Sequence, residues 1–405
     1  MMDQKLLANR VQLDVASRLQ GLFPQMTYDD AITFTAGSPA ENLFPKAAMQ
    51  QAYLDAIAAE GAHTFQYHTV QGPVELRERL ADRAMKRHQI QDIDADNVML
   101  TAGGQQGIDL VAKLMLNRGD AIVVEAPTYV GALSAFDMYE PVYYEVPLEA
   151  DGMAVDQLED LLKQHPEIKL IYTVADFHNP GGVTMSLAKR QRLVELANKY
   201  DVMILEDTPY RDLRYVGESL PTIKSFDTEG RVIFLSSFSK ILMPTLRTGW
   251  LVADRSVLTQ LYKLKEANDL EVPNITASAI NQFMAKNDLD AHIAGLTSEY
   301  MVRQQAMIQA IKDELPDGVT ATAPEGGFFT WLTLPETIDT TALLYNVCTP
   351  QAHIAYVPSK NFYAYKNHSN GMRLNFTGLT PAQIQDGMHR LGTVLTAVMT
   401  DATTE

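Results

Sequence analysis

Residues 169–206 read KLIYTVADFHNPGGVTMSLAKRQRLVELANKYDVMILE, in which two short apolar runs enclose a helical pattern. The runs are Lys169–Val174 and Val202–Glu206, and neither alternates apolar with polar residues, which is typical of strands buried on both faces. Between them, Leu187–Tyr200 has helical periodicity, and we predict Ser186 as its N-cap. A strand, a helix and a second strand in this order predict one unit of a parallel sheet.

The same alternation continues on both sides of this unit. Further apolar runs occur at Asn97–Thr101, Ala121–Glu125, Arg231–Ser236 and Gly249–Ala253, and a helical pattern at Gln105–Leu116 follows the first of them. We therefore expect an α/β fold with a large domain in which helices wrap a mostly parallel sheet. Ligands of such sheets bind at the carboxyl ends of the strands, so the residues after each run are candidates for chemistry.

The last third of the chain has a different pattern. A long helix is predicted at Asp288–Glu314, two strands at Gly327–Leu334 and Met372–Phe376, and a final helix at Pro381–Val398. This pattern indicates a smaller α+β domain, and a predicted helix at Gln4–Gly21 would pack on it. We expect an N-terminal segment at 1–44 that joins the small domain, a large domain at 45–290 and the small domain at 291–405.

Composition limits the possible partners. The chain has 405 residues and a formal net charge of −17, which disfavours nucleic acid and anionic membranes as partners. Cys348 is the single cysteine, as expected in a reducing compartment, and the first residues resemble no secretory signal. We expect a cytoplasmic protein. The histidines show no H-E-x-x-H spacing and G-x-S-x-G is absent, so neither a metal site nor a serine hydrolase is predicted.

Polar and aromatic residues follow the predicted strands. In chain order they are Gly103, Gly104 and Gln105, then Tyr129, Asn179, Asp207 and Tyr210, and finally Ser237, Ser239, Lys240 and Arg247. Taken singly, each has a plain structural explanation, since Asn179 lies in an N-P-G-G turn and Asp207 precedes a possible helix. Taken together, they form a set that one cofactor, pyridoxal phosphate, would require.

Each part of pyridoxal phosphate needs a particular partner. The aldehyde needs a lysine amine such as Lys240, and the pyridine nitrogen needs a carboxylate such as that of Asp207. The phenolate oxygen suits the amide of Asn179 and the phenol of Tyr210. The phosphate suits a helix N-terminus with hydroxyls and an arginine, and the ring suits an aromatic face such as that of Tyr129.

At this point the sequence resembles a known family. The ordered set N-P-G-G, D-x-x-Y, S-F-S-K and R-x-N-F, together with Gly37-Ser38-Pro39, is similar to that of the class I/II aminotransferases of pyridoxal-phosphate fold type I. The resemblance is strongest to the branch with 2-aminoadipate, kynurenine and aromatic aminotransferases. It implies a smaller domain formed by both chain ends and a homodimer with shared active sites.

The resemblance also implies a role for each matching residue. Lys240 would hold the cofactor as a Schiff base and move the substrate proton, Asp207 would pair with the ring nitrogen, and Tyr129 would stack on the ring; we count these as catalytic. The remaining cofactor contacts are expected from Gly103, Gly104, Gln105, Asn179, Tyr210, Ser237, Ser239 and Arg247, and from Tyr67 toward the neighbouring subunit. The substrate contacts are expected from Arg373, Asn179, Gly37 and Arg10.

We therefore predict an aminotransferase that moves the α-amino group of an amino acid to a 2-oxo acid by a ping-pong mechanism, with 2-oxoglutarate as the expected acceptor. Another pyridoxal-phosphate reaction, such as β-lysis, decarboxylation or racemisation, remains an alternative because the same groups would serve it. A ligand-sensing regulator is a third reading, which the acidic charge disfavours. His178 is an unusual residue before Asn179. It could contact the cofactor or the substrate, or it could simply pack in the interior. The preferred substrate side chain is not determined.

Overall fold

The computed structural model of the protein describes residues 6–12, 18 and 26–402. Its strands are β1 (Ile32–Thr33), β2 (Val98–Thr101), β3 (Ala121–Ala126), β4 (Val142–Glu149), β5 (Gly152–Met153), β6 (Ile168–Thr173), β7 (Met203–Asp207), β8 (Val232–Ser237), β9 (Gly249–Val252), β10 (Thr320–Ala321), β11 (Phe329–Thr333), β12 (Ile354–Ala355), β13 (Val357–Pro358) and β14 (Gly371–Asn375).

Its α-helices are α1 (Asn9–Gln12), α2 (Lys46–Glu60), α3 (Val74–His88), α4 (Gly104–Met115), α5 (Val130–Phe136), α6 (Val155–Gln164), α7 (Leu187–Tyr200), α8 (Arg255–Asn268), α9 (Asn274–Lys286), α10 (Leu289–Glu314), α11 (Thr340–Leu343) and α12 (Pro381–Ala402). Short 3-10 turns connect several of them, and a π-helix at Leu344–Ala352 follows α11. Within the described ranges, none of the helices combines the length and the apolar character needed to cross a membrane.

The large sheet has eight strands in the order β2-β9-β8-β7-β6-β3-β4-β5. Its inner pairs from β8 to β4 are parallel, and β9 is antiparallel to both of its neighbours, β2 and β8. The predicted mostly parallel sheet is therefore confirmed. The six predicted strand runs correspond to β2, β3, β6, β7, β8 and β9, with ends shifted by about one residue.

Apolar side chains cover both faces of this sheet. Val98, Leu100 and Phe234 point into one core, and Met99, Ile233 and Leu235 point into another. Because successive side chains of a strand point to opposite faces, burial on both sides explains why these runs are continuously apolar. Helix α7 has the predicted bounds, and Ser186 occupies its N-cap position, although its side chain makes no capping hydrogen bond.

The smaller α+β part contains segments from both ends of the chain. An antiparallel sheet has the order β10-β11-β14-β13, and β1 pairs in parallel with β12. Ile32 and Phe34 share a core with residues of β14 and α12, including Leu374 and Leu391. The small domain is thus confirmed as a product of both chain ends. The predicted boundary at residues 290–291 falls in the first turn of α10, and the three domain limits stay predictions.

Most of the helix predicted at residues 4–21 lies outside the described residues, and the described helix in this range is α1. Arg18, which is described, is buried and ion-paired with Asp137 at the end of α5. Its guanidinium also donates to the carbonyl oxygens of Tyr363 and Ala364. Arg18 therefore connects the N-terminal region with both parts of the fold.

Candidate active site

A cavity of about 280 Å³ opens at the carboxyl edge of the large sheet. Residues of the predicted site that line it are Gly37, Gly104, Gln105, Tyr129, Asn179, Asp207, Tyr210, Ser237, Ser239, Lys240, Arg247 and Arg373. Ile108, Val130, Val174, Pro209, Pro244 and Phe329 complete the lining and were not predicted. The tertiary structure therefore brings together residues that are far apart in sequence.

The sheet topology explains why these side chains meet. Asp207 is the last residue of β7, and Lys240 follows β8 on the same edge because the two strands are parallel. Strand β9 runs in the opposite direction and therefore begins where its neighbours end, which brings the preceding Arg247 to the same edge. Arg373 comes from β14 of the smaller part and closes the cavity from another side.

Lys240 lies close to two aromatic rings and a backbone carbonyl. Its Nζ donates to the carbonyl oxygen of Gly37 at 2.6 Å and lies 5.9 Å from the ring centroid of Tyr210. Burial, together with the positive charges of Arg373 and Arg247, lowers the pKa of Lys240 to about 8, against the opposing effect of Asp207. A lysine with this pKa has a substantial neutral, nucleophilic fraction near neutral pH.

Asp207 is a buried carboxylate that faces the cavity. Burial raises its pKa to about 6, while a hydrogen bond from Tyr172 and the charge of Lys240 act in the opposite direction. Tyr172 donates to Oδ2 at 2.8 Å, and no donor from the described part of the chain reaches Oδ1. Oδ1 therefore lacks a hydrogen-bond donor from the described residues, and Asp207 lines the cavity.

Arg373 is buried and held by two acceptors. It donates to Oδ1 of Asn179 at 3.0 Å and to the carbonyl oxygen of Thr35 at 2.9 Å, whereas its Nε has no hydrogen-bond partner among the described residues. Its guanidinium lies 4.2 Å from the ring centroid of Phe329 and 5.3 Å from that of Phe362. Burial lowers its pKa to about 10, so Arg373 remains a cation at neutral pH and suits a carboxylate.

The N-terminus of α4 forms a cradle with the loop after β8. Gly103 is the N-cap of α4 and has a φ of 79°, and a Cβ atom added there would lie 2.7 Å from Nη2 of Arg247. A Cβ at Gly249 would lie 3.0 Å from the backbone nitrogen of Gly104. Ser237 and Ser239 share a 2.8 Å hydrogen bond beside them. Free backbone N–H groups, two hydroxyls and a guanidinium match the chemistry of a phosphate.

Three predicted residues do not line this cavity. Gly103 is the N-cap of α4, where a Cβ atom would meet Arg247. Tyr67 is 77% exposed and lines a separate surface depression with Phe65 and Glu271. Arg10 is exposed on α1. The roles predicted for Tyr67 and Arg10 stay predictions.

Several supporting residues were missed from the sequence. Phe329 lies in a predicted strand. Tyr172 and Glu125 also lie in predicted strands, and a hydroxyl or a carboxylate among apolar residues indicates a buried hydrogen bond. The sequence does not show which residue each of these two side chains binds. The partners are 35 residues away for Tyr172, which binds Asp207, and 53 residues away for Glu125, which binds His178.

Comparison with known proteins identifies the family of the chain. Residues 29–391 match the family aminotransferase class I and II. The chain belongs to this family, and it is a transaminase that moves an amino group between an amino acid and an oxo acid. The family implies pyridoxal phosphate as the cofactor.

Individual relatives cover nearly the whole chain. The chain is 40% identical to aromatic-amino-acid aminotransferase 1 of Thermococcus litoralis, over 93% of this chain and 90% of the relative. It is 31% identical to the 2-aminoadipate transaminase of Thermus thermophilus, over 97% and 96%. The crystal structure of Pyrococcus horikoshii kynurenine aminotransferase in complex with PMP is 38% identical, with a TM-score of 0.93 and 98% of both chains covered. The resemblance to this branch is therefore confirmed.

Proposed function

We propose that the cavity binds pyridoxal phosphate through Lys240 and transfers the α-amino group of an amino acid to a 2-oxo acid by a ping-pong mechanism. The observation that carries this proposal is the convergence of Lys240, Asp207 and Arg373 on one cavity. An amine with a lowered pKa, a buried carboxylate and a buried guanidinium match the aldehyde, the ring nitrogen and the substrate carboxylate. When bound, the cofactor supplies an aldehyde for amines and a ring that withdraws electrons from the substrate α-carbon.

The orientation of the cofactor follows from its surroundings. Gly103 and Gly104 at the N-terminus of α4, together with Ser237, Ser239 and Arg247, would hold the phosphate, and Gln105 lies beside them. At the other end, Asn179 and Tyr210 would hold the phenolate oxygen, and both line the cavity. Tyr129 lines the same cavity and would cover one face of the ring.

Lys240 would act as the base that removes the substrate α-proton and would deliver it to the carbon that retains the amino group. With a pKa of about 8, roughly one-tenth of the free amine is neutral at pH 7, and this fraction grows as the pH rises. The nearby positive charges of Arg373 and Arg247 disfavour protonation of Lys240. The neutral fraction of the amine is the form that can accept the α-proton at short range.

Arg373 would orient the substrate through its α-carboxylate. Because Asn179 and Thr35 fix the guanidinium plane, a carboxylate that binds it is held in a defined position. Gly37 lies beside Lys240 and would contact the substrate through its backbone. This orientation selects which bond at the α-carbon faces Lys240.

We further propose aromatic amino acids as donors and 2-oxoglutarate as an acceptor. The rings of Phe329 and Phe362 flank Arg373, and Trp331 packs edge-on against Phe362 with ring centroids 5.7 Å apart. Of these rings, Phe329 lines the cavity together with Tyr129 and Tyr210. Their aromatic faces suit an aromatic side chain, in agreement with the name of the Thermococcus litoralis relative. Arg10 would supply a positive charge for an acidic side chain if its segment approaches the cavity.

A cytoplasmic homodimer is the proposed working form. Phe65, Tyr67 and Leu270 are exposed apolar residues, and Phe65 and Tyr67 share one depression with Glu271. A second copy that covered this surface would bury it and would bring Tyr67 toward the phosphate of the partner site. Sedimentation of the purified enzyme should therefore give the mass of two chains.

The decisive experiment uses Lys240→Ala, with Lys263→Ala as the control because Lys263 is exposed on α8. Wild type and the control should show a near-visible cofactor band that borohydride fixes to the protein, whereas Lys240→Ala should show no such linkage and no turnover. Without an added acceptor, an aromatic amino acid should yield one equivalent of 2-oxo acid per site. Turnover of Lys240→Ala, or release of carbon dioxide or racemised substrate instead, contradicts the proposal.

A further inference from the structure

Tyr172 contacts Asp207 from the interior of the large sheet. The Tyr172 hydroxyl donates to Oδ2 of Asp207 at 2.8 Å, and the Tyr172 side chain is fully buried. In the register of β6 and β7, Tyr172 lies opposite Leu205, and Asp207 is two residues further along. Since side chains alternate between faces with a period of two, Tyr172 and Asp207 point to the same face.

In this pair, Tyr172 is the hydrogen-bond donor and Asp207 is the acceptor. Burial raises the pKa of Tyr172 well above its ordinary value, and the nearby charge of Asp207 adds to the effect. Tyr172 therefore keeps its proton and only donates to the carboxylate. The other groups that act on the pair are Lys240 on Asp207, and Tyr129 and Glu125 on Tyr172.

The hydrogen bond also sets the position of the carboxylate. With Oδ2 held by Tyr172, rotation of the carboxylate is restricted, and Oδ1 is the oxygen that remains for the cavity. Tyr172 itself is held by an edge-on contact with Phe136, at 5.5 Å between ring centroids. The phenol is thus part of a rigid support rather than part of the cavity lining.

We infer that Tyr172 is a positioning residue that keeps Asp207 ionised and directs Oδ1 toward the ring nitrogen of the cofactor. This inference rests on the proposed function, because it assigns the partner of Asp207. A hydrogen bond to a charged acceptor favours the charged form, so loss of the phenol should make Asp207 harder to ionise. As a consequence, the affinity for the cofactor and kcat should both fall.

The test is Tyr172→Phe, which removes one oxygen and keeps the ring. Tyr143→Phe is a matched control, because Tyr143 is also a buried phenol that donates at 2.8 Å to a buried aspartate, Asp137, outside the cavity. Affinity of the apoprotein for pyridoxal phosphate, followed by tryptophan fluorescence, should fall about tenfold in Tyr172→Phe only. kcat should also fall about tenfold while the KM for the amino donor is unchanged, since Arg373 is not affected.

The pH profile separates positioning from a purely structural role. Loss of a hydrogen bond to the ionised carboxylate raises the pKa of Asp207, so the acid limb of kcat should move to higher pH in Tyr172→Phe. Site-specific replacement of Tyr172 by 3-fluorotyrosine keeps the hydroxyl but makes it a stronger donor, so the acid limb should move to lower pH. This second replacement tests the inference even if Tyr172→Phe folds poorly.

The outcomes are distinguishable. If wild type fails to bind pyridoxal phosphate or to transaminate, the proposed function fails. If wild type does both, but both replacements at Tyr172 keep the wild-type affinity, kcat and pH profile, as Tyr143→Phe should, the inference alone is overturned.

Discussion

His178 donates a hydrogen bond from Nε2 to Oε2 of Glu125 at 3.0 Å, and both side chains are fully buried. Nδ1 of the same ring accepts from the backbone N–H of Gly181 at 3.2 Å. A ring that accepts at Nδ1 and donates at Nε2 is a neutral imidazole. The pair supports the turn that carries Asn179 and lies behind the cavity, so His178 packs in the interior rather than lining the site.

This pair predicts a graded effect of substitution at His178. His178→Ala removes one of three donors to Glu125, leaving the Thr173 hydroxyl and the Val174 amide. The buried carboxylate is then less well compensated, and stability should fall by about 1–3 kcal/mol. His178→Gln can still donate and should lose less. Urea denaturation of the apoproteins measures both, and equal losses would exclude a role for the donated hydrogen bond.

The cradle at α4 predicts a specific effect of Gly103→Ala. Gly103 and Gly119 have similar φ values, 79° and 85°, but a Cβ at Gly103 would strike Arg247, whereas a Cβ at Gly119 meets nothing within 4 Å. Both variants should lose about 1 kcal/mol of stability from left-handed backbone. Only Gly103→Ala should bind pyridoxal phosphate at least about tenfold more weakly, because Arg247 is displaced.

Equilibrium dialysis of cofactor against the two apoproteins makes the comparison. Equal affinities of Gly103→Ala and Gly119→Ala would show that the contact of Arg247 with Gly103 does not support the phosphate site.

The raised pKa of Asp207 predicts that this residue lowers the stability of the apoprotein. The folded-state pKa of about 6 exceeds the ordinary value of 3.8, so the folded state holds the proton more tightly than the unfolded state. Stability then decreases as the pH rises between these values and stays lower above pH 6. Asp207→Asn should therefore be more stable than wild type at pH 7.5 by about 1–3 kcal/mol, with no difference below pH ~4.

Asp212→Asn is a control for which we expect the opposite change in stability. Although burial raises the pKa of Asp212, His88 and Arg83 hold it well below its ordinary value, so its charge stabilises the fold. This variant should lose stability at the same pH. Denaturant titrations of both apoproteins from pH 4 to 8 provide the measurement, and a wild type more stable than Asp207→Asn at pH 7.5 would contradict the expectation.

Much of the fold could be predicted because its signals are local. The strand runs from Asn97 to Ala253 are mostly apolar, since both faces of the sheet are covered, and this composition is visible without any knowledge of neighbours. Strand β4 was missed because it lies near the sheet edge and has only two buried residues, Tyr143 and Val146, so it contains no continuous apolar run. The reversed direction of β9 was also not predicted, because an apolar run carries no information about its orientation.

The site also has features that the sequence predicts and features that only the tertiary structure sets. The lysine, carboxylate, amide and phosphate cradle could be identified from the chain because parallel strands end on one edge and their following residues meet there. The contacts that give these groups their properties join distant residues: Lys240 with Gly37, Arg373 with Asn179, and Tyr172 with Asp207. The pKa values of Lys240 and Asp207 depend on burial and on these neighbours, so they arise only when the chain folds. Local composition therefore identifies the reacting groups, and packing over long sequence separations sets their charge and direction.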